Sequence, residues 1–257
     1  MRADVYLYQF GYLRSRQNAK TLIDEKNVKI DGKIINKASY NIDESIGHMV
    51  EIIHYCPYVS RGGLKLEGII KSAEIDISGK ICADIGASSG GFTDCLLKHG
   101  AKRVYAIDSG TNQLDLSLRK NKCVISLENF NARYLNYELI GELVDVITID
   151  VSFISQTLIM PSAFSILNEN GIYISLIKPQ FEVGRANIGK GGIVKDKNAH
   201  LLAIAKVIEC AEANSFFCTH LIVSPIPGGD GNTEYLAVFS RHGKRIDNDL
   251  IKKLIHK

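Results

Sequence analysis

A doubly wound, seven-stranded α/β domain preceded by a small α+β domain is the fold class predicted by the 257 residues. Three observations carry it. From Leu64 onward, apolar runs of strand length alternate with helical patterns, which is how a parallel sheet covered on both faces reads. Residues 1–57 instead hold short elements around an Asp-Gly turn. The composition, 46% hydrophobic and 23% charged, suffices for a core and excludes a disordered chain.

In order along the chain, Ser15 is placed to cap a helix running to about Lys26. Ala19, Leu22 and Ile23 share one face of it, and Arg16, Gln17 and Lys20 the other. Val28-Lys29-Ile30 and Lys33-Ile34-Ile35 flank Asp31-Gly32, a strong hairpin signal because both turn residues take positive φ. Met49 to Tyr55 reads as a further strand. Pro57 ends this first domain, residues 58–63 read as a linker, and residues 64–257 form the second domain. Its strands are expected at Ile81–Ile85, Val104–Ile107, Val124–Leu127, Val144–Ile149, Ile172–Ile177, Leu221–Val223 and Tyr235–Phe239.

Composition also excludes classes. The six cysteines show no C-x-x-C spacing, so no metal site is expected, and reduced thiols fit a cytoplasmic chain. Lys+Arg 31 against Asp+Glu 28 leaves a net charge of +3, so any nucleic-acid footprint is local. Asp4 stands where a signal peptide needs an apolar run. The longest uncharged stretch, between Asp150 and Glu169, is broken by Ser152, Ser155, Gln156, Thr157 and Pro161, so no membrane span is expected.

Ala83-Asp84-Ile85-Gly86-Ala87-Ser88-Ser89-Gly90-Gly91-Phe92 follows the first strand of the sheet and opens a helix. Glycines there let backbone approach a ligand closely, and Asp108 ends the next strand, where an acid holds ribose hydroxyls. The loop breaks the dinucleotide pattern G-x-G-x-x-G, and the charge of Asp84 would repel a pyrophosphate. A cationic nucleoside without phosphate fits better, which selects S-adenosylmethionine over NAD. Asp150 and Lys178 each close an apolar strand, where open α/β sheets bind ligands, and Glu234 opens the last strand, whose direction is left open. Lys65 carries no signal by itself.

With these residues the chain resembles the TlyA ("hemolysin A" type) family of rRNA 2′-O-methyltransferases along essentially its whole length. The stretches are Tyr58-Val59-Ser60-Arg61-Gly62-Gly63-Leu64-Lys65-Leu66, the Asp84–Asp94 loop, Asp150-Val151-Ser152-Phe153-Ile154-Ser155, Lys178-Pro179-Gln180-Phe181-Glu182-Val183-Gly184 and Gly189-Lys190-Gly191-Gly192. The resemblance implies an S4 RNA-binding domain followed by an FtsJ-like, Rossmann-like methyltransferase domain. It also implies a Lys-Asp-Lys-Glu tetrad at Lys65, Asp150, Lys178 and Glu234, and ribosomal RNA or ribosomal subunits as partner, with cytidine as the target. Cofactor contacts are expected at Asp84, Gly86, Ala87, Ser88, Gly90, Gly91, Phe92, Asp108, Ser109, Asn131 and Asp150. RNA contacts are expected at Arg2, Arg14, Arg16, Lys20 and Arg61. Two other classes compete: a membrane-active hemolysin, which lacks a suitable segment, and a non-catalytic ribosome-assembly factor, against which the complete tetrad argues.

Overall fold

The computed structural model describes residues 1–13, 15–53, 56–229 and 231–256, and the chain divides into two compact units, Met1–Pro57 and Tyr58–Lys257. The first unit runs α1 (Ala3–Gln9), α2 (Arg16–Asp24), β1 (Val28–Ile30), β2 (Lys33–Ile34) and β3 (Val50–Ile52). Its three strands form an antiparallel sheet in the order β2-β1-β3. Ser15 caps α2, its Oγ accepting the Asn18 N–H at 3.0 Å. The helix stops at Asp24 because Lys26 already takes a left-handed φ of 59°. Asp31 and Gly32 have φ of 52° and 75°, the twist that closes a two-residue hairpin. Leu7, Ala19, Leu22, Ile23, Val28 and Ile30 meet in one small core.

Asp4 sits at the edge of that core, nearly buried, and its carboxylate accepts from Arg2 Nε at 2.8 Å and from Arg16 at 3.0 Å. Burial alone would raise this carboxyl, but the two guanidinium hydrogen bonds hold it below the usual range. The expected basic face is therefore partly neutralised from within: Arg2 and Arg16 share one acid, while Lys20 stays exposed. Arg14 lies outside the described residues.

The second unit runs α3 (Gly62–Ser72), β4 (Ile81–Ile85), α4 (Gly91–Lys98), β5 (Arg103–Ile107), α5 (Leu116–Arg119), β6 (Val124–Leu127), α6 (Tyr137–Ile140), β7 (Val144–Ile149), α7 (Met160–Ser165), β8 (Leu167–Ile177), α8 (Pro179–Glu182), α9 (Lys197–Ala213), β9 (Phe217–Val223), β10 (Tyr235–Ser240) and α10 (Asn248–His256). Residues 58–63 belong to this unit: Tyr58 is buried, and Gly62 and Gly63 already open α3. A Cβ on Gly63 would fall 2.2 Å from the Tyr58 ring, so only glycine lets the helix start there.

The sheet order is β6-β5-β4-β7-β8-β10-β9. β4 to β8 are parallel, and β10 runs antiparallel between β8 and β9. That direction, open from sequence, brings the start of β10 to the edge where β4, β7 and β8 end. β8 begins at Leu167 rather than Ile172 because a register shift opposite Val144–Val146 admits the polar Asn168–Gly171 stretch. Fully buried Tyr173, Phe216 and Phe239 anchor the core on the β8–β10 side, each contributing about 1.5–3 kcal/mol of apolar burial. Among the described residues, no helix is long and apolar enough to cross a membrane, and no group of His, Cys, Asp and Glu could hold a metal ion.

Candidate active site

The strand order reverses between β4 and β7, and the glycine loop crosses that switch point, where α/β sheets open a crevice. Gly86 has φ of 80°, and a Cβ on it would lie 2.2 Å from the Asp150 carbonyl oxygen. Gly86 and Ala87 both donate their N–H to the Ile107 carbonyl, at 2.8 and 3.1 Å. The loop is thus pinned between three strand ends. Asp108 is fixed from two sides: Oδ2 accepts the Ser88 N–H at 2.8 Å and Oδ1 the Gly110 N–H at 2.7 Å.

A cleft of about 540 Å³ opens over this frame, walled by Gly86, Ser88, Asp108, Ser109, Asn131 and Asp150. That volume falls within the ~300–1,000 Å³ range of small-molecule sites. A smaller chamber of about 250 Å³ shares Gly86, Ser88 and Asp150 with it, and is closed by Arg61, Lys65, Ala87, Gly91 and Phe92. Most of the expected cofactor residues therefore converge on one continuous crevice.

Asp84 and Gly90 do not reach it. Gly90 lies behind the loop at φ 96°, backed by Leu114 and Leu118. Asp84 is fully buried, and its carboxylate accepts from Thr93 Oγ1 at 2.7 Å and Thr148 Oγ1 at 2.9 Å, binding β4 to α4 and β7. Its expected direct contact with a cationic cofactor is replaced by a structural one. Burial, opposed by the two threonines, pushes the carboxyl up from 3.8 to about 7. A carboxyl raised in this way contributes most below about pH 4, and that contribution is lost as pH rises through about 7. Asp84→Asn should therefore gain stability relative to wild type between pH 5 and pH 8. Thermal melts at the two pH values check this, and an unchanged difference would refute it.

The four chemistry-bearing residues come from four elements. Lys65 projects from the second turn of α3, Asp150 follows β7, Lys178 follows β8 and Glu234 precedes β10. They form two ion pairs. Lys65 Nζ meets Glu234 Oε2 at 2.5 Å, with side chains only 11% and 3% exposed. Lys178 Nζ meets Asp150 Oδ1 at 2.5 Å and donates to Ser152 Oγ at 3.0 Å. Lys65 and Asp150 face the same smaller chamber, so both pairs border one space.

Arg61 also lines that chamber, whereas Arg2, Arg16 and Lys20 belong to the first unit. Nothing in the local sequence marks Ser152 and Phe153 as site residues, although they follow directly on Asp150. Phe153 is 92% exposed, holds φ of 64°, borders the larger cleft and packs at 5.2 Å on the Phe181 ring. The contact with Phe181 leaves the Phe153 residue almost wholly in water on left-handed backbone, and only the structure reveals it.

A doubly wound sheet with one reversed strand, β10, and a crevice at the switch point places the chain in the Rossmann-like class of methyltransferases. The FtsJ-like methyltransferase family matches residues 58–241 and the S4 domain family residues 1–45. The chain belongs to the FtsJ-like methyltransferase family and carries an S4 domain in front of it. "Hemolysin A" of Brachyspira hyodysenteriae is 44% identical over 244 residues, covering 93% of this chain and 99% of that protein. The 16S/23S rRNA (cytidine-2′-O)-methyltransferase TlyA of Mycobacterium tuberculosis is 38% identical over 234 residues, covering 91% and 87%. A solved chain from Streptococcus thermophilus that carries a hemolysin name superposes with a TM-score of 0.79 at 38% identity, covering 100% of this chain and 94% of that one. Hemolysin is thus a name shared by relatives of a methyltransferase.

Proposed function

We propose that the protein methylates the ribose 2′-hydroxyl of cytidine in ribosomal RNA, using S-adenosylmethionine and acting on ribosomal subunits in the cytoplasm. The observation that carries this reading is the pair of lysine–carboxylate contacts bordering one chamber beside a nucleoside-sized cleft. The residues fit the cofactor. Asp108, oriented by two backbone N–H groups, suits ribose hydroxyls, and Asp150 suits a cationic centre. Gly86 leaves room for close approach, and Ser88, Ser109 and Asn131 supply polar contacts along the same wall. When bound, S-adenosylmethionine supplies a methyl group already activated on a sulfonium.

The chain's own work is to position the acceptor and to move one proton. Lys178, oriented by Asp150 and Ser152, takes the proton from the 2′-hydroxyl as its oxygen gains the methyl group. A base of this kind acts from its neutral form. Lys65, held by Glu234, steers the ribose or its phosphate. A 2′-hydroxyl exists only in RNA, so acceptor class is read at the reacting atom itself. The exposed Phe153 ring offers a face on which an unstacked base can lie. The S4 unit raises the local concentration of a very large substrate.

The test is transfer from labelled S-adenosylmethionine to ribosomal subunits, followed by mapping of 2′-O-methyl sites. No transfer to either subunit or to free ribosomal RNA would overturn the reading. Calorimetry should show binding of S-adenosylmethionine and none of NAD. Alanine at Arg14, Arg16 and Lys20 together should weaken RNA binding and flatten its salt dependence, because fewer phosphate counterions are released. Cofactor affinity should not change, and indifference of RNA affinity at several salt concentrations would remove this face from the interface.

A further inference from the structure

Asn232 lies just before Glu234 and is 1% exposed. Its amide is committed to a distant segment: Oδ1 accepts the Val194 N–H at 3.0 Å, and Nδ2 donates to the Gly192 carbonyl at 3.0 Å. Its own carbonyl accepts the Gly228 N–H at 2.9 Å. Gly228 is where Glu234 rests, since a Cβ there would stand 2.5 Å from Glu234 Oε1. Its neighbours Pro227 and Gly229 wall the Lys65 chamber. A second tie runs from the Val194 carbonyl to His200 Nε2 at 2.9 Å, and on from His200 Nδ1 to the Tyr235 hydroxyl at 3.0 Å. The segment ending at Val194 is therefore fastened twice to residues 232–235, which bring in Glu234.

That segment, residues 184–195, contains Arg185, Lys190 and Lys195 and no acid. All three cations are exposed, and none has a salt bridge among the described residues. The next acid, Asp196, is occupied in capping α9 through the Asn198 N–H at 3.0 Å. Gly184, Gly191 and Gly192 take φ of 73°, 77° and 78°, and a Cβ on any of them would meet nothing within 4 Å. Packing does not require these glycines; the backbone shape does, and it leaves main-chain groups open to solvent. Uncommitted cations on such a loop, locked to the wall of the reacting chamber, suit a phosphodiester.

We infer that residues 184–195 grip a backbone phosphate of the RNA strand being modified, and that Asn232 is the positioning residue that holds this grip in register with Glu234 and Lys65. The inference deepens the proposed RNA methylation and rests on it.

Steady-state and single-turnover methyl transfer to ribosomal RNA, with cofactor affinity measured separately, test it. Lys190→Ala with Lys195→Ala should raise KM for RNA several-fold, leave kcat within about twofold, and lower the salt slope of RNA binding by about 2. Asn232→Ala should raise KM and also lower kcat, with S-adenosylmethionine affinity unchanged. In the double-lysine background, Asn232→Ala should add little further increase in KM, because the grip it positions is already gone. Asn232→Asp should recover part of the loss, since it retains the acceptor for Val194. Independent, fully additive KM effects, or a fall in cofactor affinity with Asn232→Ala, would overturn the positioning role. An unchanged RNA KM in the lysine variant would overturn the grip, and as both lysines are exposed, that variant does not hinge on folding. Failure of the wild type to methylate any ribosomal RNA would instead overturn the parent reading.

Discussion

Lys178→Ala is expected to slow methyl transfer by about 10²–10⁴-fold, the usual cost of removing a general base, while cofactor and RNA binding stay within a few-fold of wild type. Lys178 closes β8 and precedes Pro179, so its backbone is held by the sheet on one side and a fixed φ on the other. Its Nζ is shared between Asp150 and Ser152. Lys178→Arg should fail as well, because a guanidinium keeps its proton at any usable pH. Single-turnover transfer from labelled S-adenosylmethionine is the measurement. Activity retained in Lys178→Arg would mean that this position supplies only positive charge, and the proton would then pass to Asp150 or water.

Glu234→Ala should be the more damaging change for the fold itself. Lys65 is left as an unpaired, largely buried ammonium, and breaking a buried pair from one side costs about 3–5 kcal/mol. Activity should fall together with the melting temperature. Replacing both partners, as Lys65→Met with Glu234→Gln, removes the stranded charge and should restore most of the stability without restoring methyl transfer. Denaturant midpoints and initial rates on the same samples separate the two effects. If the double variant were as active as wild type, the pair would be structural only.

These expectations rest on residues of unequal legibility. The strands β4, β6 and β7 begin and end where the apolar runs do, and Gly86, Glu128 and Asp150 mark where each run stops. Asp150 and Lys178 stand out as charges that close such runs. Lys65 cannot be read this way: its meaning comes from Glu234, 169 residues later, and no local pattern encodes a contact of that range. The direction of β10 is likewise set by its neighbours β8 and β9 and not by its own residues. Asp84 has the opposite character. Its place in the loop is legible, but the threonines that take up its carboxylate, Thr93 and Thr148, come from two other elements and turn an apparent ligand into a strut. α1 offers too few turns for a periodic signal, and only its packing against α2 makes it a helix.

The placement of β10 has a temporal consequence. Of the described strands it is the last to be synthesised, yet it lies inside the sheet, between β8 and the earlier-made β9. Until it arrives, β9 has no partner strand and Lys65 no counter-charge. A chain that still lacks this strand therefore lacks the Glu234 carboxylate that holds Lys65 at the wall of the acceptor chamber.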